Sequence, residues 1–372
     1  MFFTNNPYRI KRFEDVYNDP VGESIDKPET LSVTLKCEQG ETINYAPPLI
    51  SNQQETSHRL IGKKSRFRYG GIFKSPDRYL YSVSNACIIG QSGLIYDPEK
   101  RSFIDESTKE WVINLKQSPY VNALNLPPKT YLKGTTLSFL TIGADGGFYH
   151  FLFESITKTG MYRSILNQAD HILFNGPSTN WKLKWIDRAN IDRSKIIWMD
   201  SMAHYDCEQL IFTNRLVGDQ QLNNWAVNTL KETFGIDTAK VKQTRPQKLI
   251  WISRKKVYAR EVDWENEILA LFPDIESVEL SDIDADDTIV KLQAATHVIA
   301  PHGAGLSNIY LCAPGTKILE LFPNGAFFQP CYSRLSNICN LEHQVMYLDF
   351  KDKENAETGL KVFSDVLTKF IC

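Results

Sequence analysis

The sequence lacks a hydrophobic run long enough to cross a membrane. No apolar stretch approaches the roughly 20 residues that a bilayer-spanning helix requires, although 42% of the 372 residues are hydrophobic. The opening residues, MFFTNNP, contain no basic segment followed by an apolar run, so the sequence predicts no signal peptide. We therefore expect a soluble cytoplasmic protein, and we leave open a peripheral contact with the inner face of a membrane.

Cysteine pairs of the kind that hold metals or disulfide frameworks are missing as well. The seven cysteines are scattered, odd in number and never spaced as Cys-x-x-Cys. Reduced thiols and no structural zinc are therefore expected. His204, Asp206 and Cys207 lie close together in the sequence, but no second pair of ligands at a useful spacing accompanies them.

The chain also has no excess of charge of one sign. Its 42 basic and 44 acidic residues give a formal net charge of -2, so no overall field attracts nucleic acid or anionic lipid. The sequence thus predicts no nucleic-acid partner. The basic stretch HRLIGKKSRFR at 58–68 is a local exception. We interpret it as solvated surface, with contact to a lipid-linked or anionic acceptor as the alternative.

A chain of 372 residues exceeds what one hydrophobic core usually organises, so the length predicts more than one domain. Residues 1–130 are polar with short strand-like runs, and they predict a strand-rich region packed on a first lobe. Residues 131–245 alternate between strand and helix patterns, which indicates βαβ units and a largely parallel sheet. Strands are predicted at 136–142, 171–174 and 196–199, and helices at 148–164, 181–188 and 219–234.

The same alternation restarts after the polar linker at 243–247 and fills a second lobe, residues 246–372. Its strands are predicted at 248–253, 278–280, 297–300, 317–322 and 344–348, and its helices at 264–272 and 286–295. Apolar residues spaced by three and four predict an amphipathic terminal helix that contains Leu360, Phe363, Leu367 and Phe370. The predicted fold class is α/β with two Rossmann-type lobes, which bind ligands at the carboxyl ends of their strands.

The segment APHGAGLSN at 300–308 has the pattern of an anion site. A buried strand is predicted to end at Pro301, the two glycines allow close backbone approach, and a helix begins near Gly305. Backbone N–H groups and the helix dipole attract a phosphate at such a start. A structural turn in which His302 pairs with a protein group is the alternative. The candidate anion-binding residues here are His302, Gly303, Ala304, Gly305, Leu306, Ser307 and Asn308.

Charged side chains lie at the ends of other strands predicted for the same lobe. Arg254 follows Ser253 at the end of its strand and Arg260 comes shortly after, and arginine grips a diphosphate with paired hydrogen bonds. Glu320 lies near the end of 317–322, where a carboxylate can accept hydrogen bonds from ribose hydroxyls. Each residue alone also fits a surface charge or a buried ion pair. Because they converge on one edge, they predict a site for a nucleotide diphosphate.

Three segments resemble glycosyltransferase family 61: ISR with a later arginine, AATHVIAPHGAGLSNIYLCAPGTKILELFP, and GFYHFLFES. The resemblance covers roughly residues 75–350. It implies a GT-B type pair of Rossmann-like lobes and inverting transfer from a nucleotide sugar, usually UDP-linked, with no essential metal or cofactor. It also implies a glycan or lipid-linked glycan acceptor, as in capsular or cell-surface polysaccharide biosynthesis. The positions that match the family's donor contacts are Arg254, Arg260, 302–308 and Glu320.

The first lobe is expected to supply the base for transfer. His150 and Glu154 are four residues apart on a predicted helix and so share one face, and Asp145 lies just before it in a glycine-rich turn. Histidine titrates in the right range, and a carboxylate one turn away can fix its tautomer. We predict His150 as the base and Glu154 as its partner. Direct action by Glu154 or Asp145 is the next choice, and a structural pair is the alternative.

An Asp-x-Asp pattern, the one by which many sugar transferases hold a metal, occurs at 282–284. Its acidic run continues to Asp287 directly before a predicted helix, where carboxylates cap the helix and suit its dipole. We interpret the run as a cap and predict no metal ligand in it. Two other functions stay open at this point: a metal-dependent hydrolase that uses His150, Glu154 and the acidic run, and a non-catalytic nucleotide- or glycan-binding module.

Overall fold

A computed structural model describes most of the chain. The described residues are 8–17, 32–51, 70–107, 115–123, 125–218, 220–241, 245–255, 260–326, 328–351 and 356–372. The basic stretch at 58–68 lies outside them, so its predicted role is not tested. By its internal contacts the chain divides into two compact units. The first comprises Met1–Glu41 and Ser75–Gly218, and the second comprises Thr42–Lys74 and Asp219–Cys372.

The described residues form 17 strands, numbered here in chain order. They are β1 Arg9–Lys11, β2 Val33–Glu38, β3 Thr42–Tyr45, β4 Leu49–Ile50, β5 Gly71–Lys74, β6 Arg78–Ile89, β7 Leu94–Asp97, β8 Ser102–Ile104, β9 Thr130–Ser138, β10 His171–Asn175, β11 Ile196–Met199, β12 His204–Thr213, β13 Leu249–Ile252, β14 Ile275–Val278, β15 His297–Pro301, β16 Lys317–Pro323 and β17 Glu342–Leu348.

The first unit is built on a mixed nine-stranded sheet. Its order is β1-β8-β7-β6-β12-β9-β10-β11, and β2 pairs with β6 outside this path. Strands β12, β9, β10 and β11 run parallel to one another, whereas β6 pairs antiparallel with β12 and β7. Apolar residues from both kinds of strand fill the core, including Val83, Ile88, Leu173 and Leu210.

Short helical segments follow the strands of the first unit. The α-helices are Phe13–Tyr17, Phe148–His150, Thr159–Tyr162 and Asn180–Arg188. A π-helix, Phe151–Ser155, and a 3-10 turn, Ile156–Lys158, lie between the second and third of these, and further 3-10 turns are Leu115–Gln117, Leu166–Gln168 and Arg193–Lys195.

The second unit contains a six-stranded sheet in which every pair is parallel. Its order is β14-β13-β15-β16-β17-β4. Strands such as β13 (LIWI) are buried along their whole length, as a parallel sheet covered on both faces requires. The first five strands have the order 2-1-3-4-5 of a doubly wound fold. A small antiparallel sheet of β3 and β5 completes the unit.

The helices of the second unit are Asn224–Thr233, Glu265–Leu271, Ala285–Ala294, Cys331–Ile338 and Ala356–Ile371, with 3-10 segments Thr238–Lys240 and Ala304–Leu311. The terminal helix packs Phe363, Leu367 and Phe370 against a core that contains Trp251 and Trp264. The apolar face predicted for the terminal helix is therefore buried. The predicted α/β class with parallel strands is confirmed as well.

Candidate active site

Arg254 and Gly303 are brought together by two neighbouring strands of the second unit. β13 ends at Ile252 two residues before Arg254, and β15 ends at Pro301 two residues before Gly303. These strands pair in parallel, so their carboxyl ends lie at the same edge of the sheet. The strand order reverses between β13 and β15, because β14 lies on the far side of β13. In doubly wound sheets, ligands bind at this reversal.

The guanidinium of Arg254 packs directly on the Cα of Gly303. A Cβ at that position would lie 1.8 Å from Arg254 Nη1, so any larger residue would displace the arginine. Gly303 is extended, with φ of 167° and ψ of 174°, so its backbone conformation does not require glycine. At Gly305 a Cβ would lie 2.8 Å from Cγ2 of Ile252. The lack of a side chain at Gly303 therefore makes room for the guanidinium of Arg254, and the lack of one at Gly305 makes room for Ile252.

Two positive charges meet at this edge of the sheet. Burial lowers the pKa of Arg254, the nearby charge of Arg260 lowers it further, and Tyr332 partly offsets both effects. A like-charged pair is unfavourable by itself, and an anion bound between the two groups would relieve the repulsion. Arg254 is 9% exposed. Its neighbour Ser253 accepts a hydrogen bond at Oγ from the backbone N–H of Lys255, 3.3 Å away.

The segment after β15 is helical, as predicted, but it is a 3-10 helix of eight residues. Ala304 and Gly305 at its start are partly exposed, whereas Leu306, Ser307 and Asn308 are buried. The Asn308 amide donates a hydrogen bond to the Gly305 carbonyl at 3.0 Å. Leu306 is thus a core residue, and the amide nitrogen of Asn308 stabilises the first turn of this segment.

His302 belongs to a buried chain of hydrogen bonds. Its Nδ1 lies 2.5 Å from Glu320 Oε1, and its Nε2 lies 3.0 Å from Gln329 Oε1. The other carboxylate oxygen of Glu320 lies 3.0 Å from His343 Nε2, and His343 Nδ1 lies 2.8 Å from the Ser336 hydroxyl. Since an ionised carboxylate only accepts hydrogen bonds, the two facing ring nitrogens both carry protons.

The position of Glu320 does not fit the predicted contact with ribose hydroxyls. The residue is 0% exposed, and both of its oxygens are engaged by histidines. Burial alone would raise its pKa, but the charges and hydrogen bonds of His302 and His343 outweigh burial and lower it. Glu320 therefore holds His302 in place. A buried acidic residue near a strand end looks the same in sequence as an exposed one, so the pattern alone was ambiguous.

In the first unit, the helix that carries His150 and Glu154 is interrupted between them. The α-helix Phe148–His150 gives way to the π-helix Phe151–Ser155, in which the N–H of Ile156 donates to the carbonyl of Phe151. Single π turns occur frequently at functional sites. His150 Nδ1 nevertheless lies 3.2 Å from Glu154 Oε1, so the expected pairing of these two side chains is present.

Glu154 is buried, with 5% of its surface exposed, and is surrounded by groups that stabilise its charge. Thr141 donates to its Oε2 at 3.1 Å, and Arg215 Nη2 lies 3.4 Å from its Oε1. Burial would raise the pKa of this carboxyl, but His150, Arg215 and Thr141 together lower it. Glu154 is therefore ionised at neutral pH.

Glu154 lines a cavity of about 350 Å³ within the first unit. The cavity is also lined by the charged residues Asp105, Glu106, Lys158 and Arg215. Its volume lies at the lower end of the range of roughly 300–1,000 Å³ that is usual for ligand sites.

Residues 148–319, which contain His150, Glu154, Arg254 and Gly303, match the family model named Glycosyltransferase 61. This segment is a glycosyltransferase family 61 domain. The resemblance inferred from the sequence is thereby confirmed, and so is the expectation of a glycosyltransferase enzyme. No curated protein matches the chain.

Sequence reasoning missed Lys182 of this glycosyltransferase. Its Nζ donates to three backbone carbonyls, those of Asp145 at 2.9 Å, Asn175 at 2.8 Å and Pro177 at 3.0 Å. Burial lowers its pKa to about 8, partly offset by the charge of Asp145. The Asp145 side chain is exposed, so this residue contributes its carbonyl to the anchor of the glycine-rich turn. Nothing in the local pattern NWKLKW marks Lys182 as buried, which explains the omission.

The acidic run of the second unit caps a helix, as predicted. The Asp284 carboxylate accepts from the backbone N–H of Asp287 at 2.7 Å at the start of the helix Ala285–Ala294. His204 is structural as well, since its ring bonds to Tyr96 at 2.8 Å and to the Pro127 carbonyl at 2.6 Å. The described residues contain no group of three His, Cys, Asp or Glu side chains placed to hold a metal.

A helix that crosses a bilayer needs roughly 20 predominantly apolar residues. The described helices of the glycosyltransferase are shorter or more polar than this.

Proposed function

We propose that the chain is an inverting glycosyltransferase that moves a sugar from a nucleotide diphosphate donor, UDP being the first candidate, to a hydroxyl of a glycan or lipid-linked glycan. The observation that carries the proposal is the packing of Arg254 on Gly303 where the strand order reverses. This arrangement supports a bound diphosphate, because arginine donors and the start of the helix Ala304–Leu311 lie at one edge of the sheet.

The second unit would stabilise the leaving group. As the bond between the anomeric carbon and the diphosphate breaks, negative charge develops on the departing phosphate oxygens. Fixed positive groups next to that position lower the barrier, since they need no rearrangement during the reaction. Arg254 and Arg260 take this role in the proposal, in place of a metal ion. The buried Glu320 supports it by fixing His302.

The first unit would activate the acceptor. The acceptor oxygen attacks the anomeric carbon from the face opposite to the diphosphate, and its proton passes to a base. We assign the base to Glu154, because its ionised carboxylate lines the cavity. His150 is then the partner that holds the carboxylate, which reverses the roles expected from the sequence. The two units correspond in this proposal to the acceptor and donor lobes of a GT-B type enzyme.

A thermal-shift panel with UDP, GDP, dTDP and CMP, each with and without EDTA, tests the donor site. A ligand at 100 times its dissociation constant adds about 2.7 kcal/mol to the free energy of unfolding. We expect one diphosphate to stabilise the protein selectively and EDTA to leave that shift unchanged. Arg254→Ala should abolish the shift, because the guanidinium is removed.

Lys351→Ala is the matched control, since Lys351 is an exposed cation of the same unit, paired with Asp263 at 2.6 Å. Its shift with the nucleotide should equal that of the wild type. A full nucleotide shift in Arg254→Ala would refute the donor site, and a shift that disappears with EDTA would refute metal independence.

A further inference from the structure

The Glu154 cavity of the first unit has features that the donor site does not use. Besides Glu154, its lining includes Asp105, Glu106, Lys158 and Arg215. Three carboxyl groups thus share the cavity with one guanidinium and one amine. The cavity also contains hydroxyl-bearing Thr141, so it offers both donors and acceptors of hydrogen bonds.

Several of these groups have capacity for a ligand beyond their protein contacts. Glu154 Oε2 receives a hydrogen bond from Thr141, and a carboxylate oxygen has two lone pairs. Arg215 directs one terminal nitrogen toward Glu154, while 49% of its side chain is exposed. A guanidinium has five N–H donors, so others are available to a bound molecule.

The charges of the cavity discriminate between sugar types. A phosphate or uronate would be placed near the carboxylates of Asp105 and Glu154, and like charges at short range disfavour binding. Lys158 does not fully offset this repulsion of a charged ligand, because its Nζ is buried and donates to the carbonyls of Leu140 and Ser138. A neutral polyol meets no such repulsion, and its hydroxyls pair with carboxylate and guanidinium alike.

We propose that this cavity is the subsite for the terminal sugar of the acceptor, and that it selects an uncharged sugar residue over a phosphorylated or uronic one. The proposal rests on the function proposed above, since it names the substrate class of the acceptor side. The small volume fits one sugar residue, with the remainder of the glycan outside. The acceptor hydroxyl then reaches Glu154 Oε2 at the cavity wall.

Ligand-observed NMR titration of the full chain tests this proposal with methyl glucoside, methyl galactoside, methyl mannoside, methyl glucuronide and glucose 1-phosphate. We expect at least one neutral glycoside to bind, and the charged compounds to bind at least tenfold more weakly. Ile142→Trp fills the cavity, because Ile142 lines it, and should weaken the neutral glycoside at least tenfold. Arg215→Ala, which changes a half-exposed residue, should weaken it as well.

Met202→Trp is the control, because Met202 is a 66% exposed residue of the same unit and does not line the cavity. It should bind the glycoside as the wild type does. Equal binding of the glycoside by wild type, Ile142→Trp and Arg215→Ala would overturn the proposal. Preferential binding of the charged sugars would overturn it as well. So would the absence of glycoside binding in a protein that binds the nucleotide. Glycoside binding by a protein that shows no thermal shift with any nucleotide would instead refute the donor site, and the proposal that the cavity binds a sugar would remain supported.

Discussion

At the scale of single residues, the contact between Arg254 and Gly303 gives a sharp test of the donor site. A Cβ at residue 303 would overlap Arg254 Nη1 at 1.8 Å, while the extended backbone tolerates alanine. Gly303→Ala should therefore move the guanidinium and weaken binding of the nucleotide diphosphate at least tenfold. Isothermal titration with the nucleotide identified by thermal shift measures the effect.

Gly146→Ala is the control for this substitution, because no atom lies within 4 Å of a Cβ built there. Its nucleotide affinity should match that of the wild type. Unchanged affinity in Gly303→Ala would mean that the position of Arg254 does not matter for binding the diphosphate.

Lys158 predicts a specific dependence of stability on pH. Burial lowers its pKa from 10.5 to about 7, and the charge of Glu154 offsets this only in part. Between these two values the unfolded chain binds a proton that the folded protein lacks, so the contribution to stability rises with pH, by up to about 1.4 kcal/mol per unit. Lys158→Met removes this titration.

Urea unfolding of wild type and Lys158→Met at pH values from 7.5 to 9.5 measures this contribution. The wild-type free energy of unfolding minus that of the variant should increase across the series. A difference that stays flat or decreases with pH would show that Lys158 is protonated in the folded protein throughout the range.

At the scale of elements, the glycine-rich turn before His150 depends on an anchor from a neighbouring helix. Lys182, in the helix Asn180–Arg188, donates to the Asp145 carbonyl of this turn. It also donates to the carbonyls of Asn175, the last residue of β10, and of Pro177, which follows that strand. Lys182→Met removes these three hydrogen bonds to backbone carbonyls. Amide hydrogen exchange should accelerate at residues 143–150, while exchange in β10 changes less.

Lys133→Met serves as the control for Lys182→Met, since Lys133 is an exposed lysine of β9 in the same unit. It should leave exchange at residues 143–150 as in the wild type. Equal exchange in all three proteins would show that the turn is held by its other hydrogen bonds, such as the one from the N–H of Gly147 to the Gly143 carbonyl at 2.8 Å.

Elements with a strong hydrophobic period were predictable from the sequence, and those set by tertiary contacts were not. The predicted strand 297–300 corresponds to β15, and the predicted helix 286–295 to Ala285–Ala294. By contrast, the single helix predicted at 148–164 is a succession of α, π and 3-10 segments. The apolar pattern FYHFLFES fits all three helix types, so only packing in the core selects among them.

The longest strands of the first unit were also missed in whole or in part. β12, HYDCEQLIFT, places polar Asp206 and Glu208 among buried residues, so it has neither clean alternation nor a continuous apolar run. β6, which extends over 12 residues from Arg78 to Ile89, is much longer than the short strand-like runs predicted within residues 1–130. Both strands are defined by their antiparallel pairing with each other, over nine residue pairs.

The candidate site was predictable where a residue follows a strand and unpredictable where a partner lies far away in the chain. Arg254 and the segment after Pro301 lie at one edge of the sheet, as expected from the convergence of strand ends in a parallel sheet. His343 was not, since its link to Glu320 joins β17 to β16 across 23 residues. A histidine near the start of the run EHQVMYL is indistinguishable in sequence from a solvated one.

At the scale of the whole molecule, the cysteines predict a definite count of reactive thiols. All seven are free; Cys37 and Cys372 are exposed, and the other five are buried. Burial raises the pKa of the buried thiols, for example that of Cys207 to about 12, which suppresses the reactive thiolate. An aromatic disulfide reagent should therefore label two thiols rapidly in the folded protein and all seven in urea.

A reductant should leave the melting temperature unchanged, because no disulfide stabilises the fold. Rapid labelling of more than two thiols before unfolding, or a melting temperature that falls with reductant, would contradict this arrangement of cysteines.

The second unit is assembled from two stretches of chain that lie far apart in the sequence, and this has a consequence for its synthesis. β4 leaves the ribosome early, yet its partner β17 begins at Glu342, after the whole first unit has been made. At about 5–20 residues per second, β4 waits on the order of 15–60 s for that partner. The first unit can thus begin to fold while β4 is still without its neighbour, and the six-stranded sheet is completed only after Glu342–Leu348 has emerged.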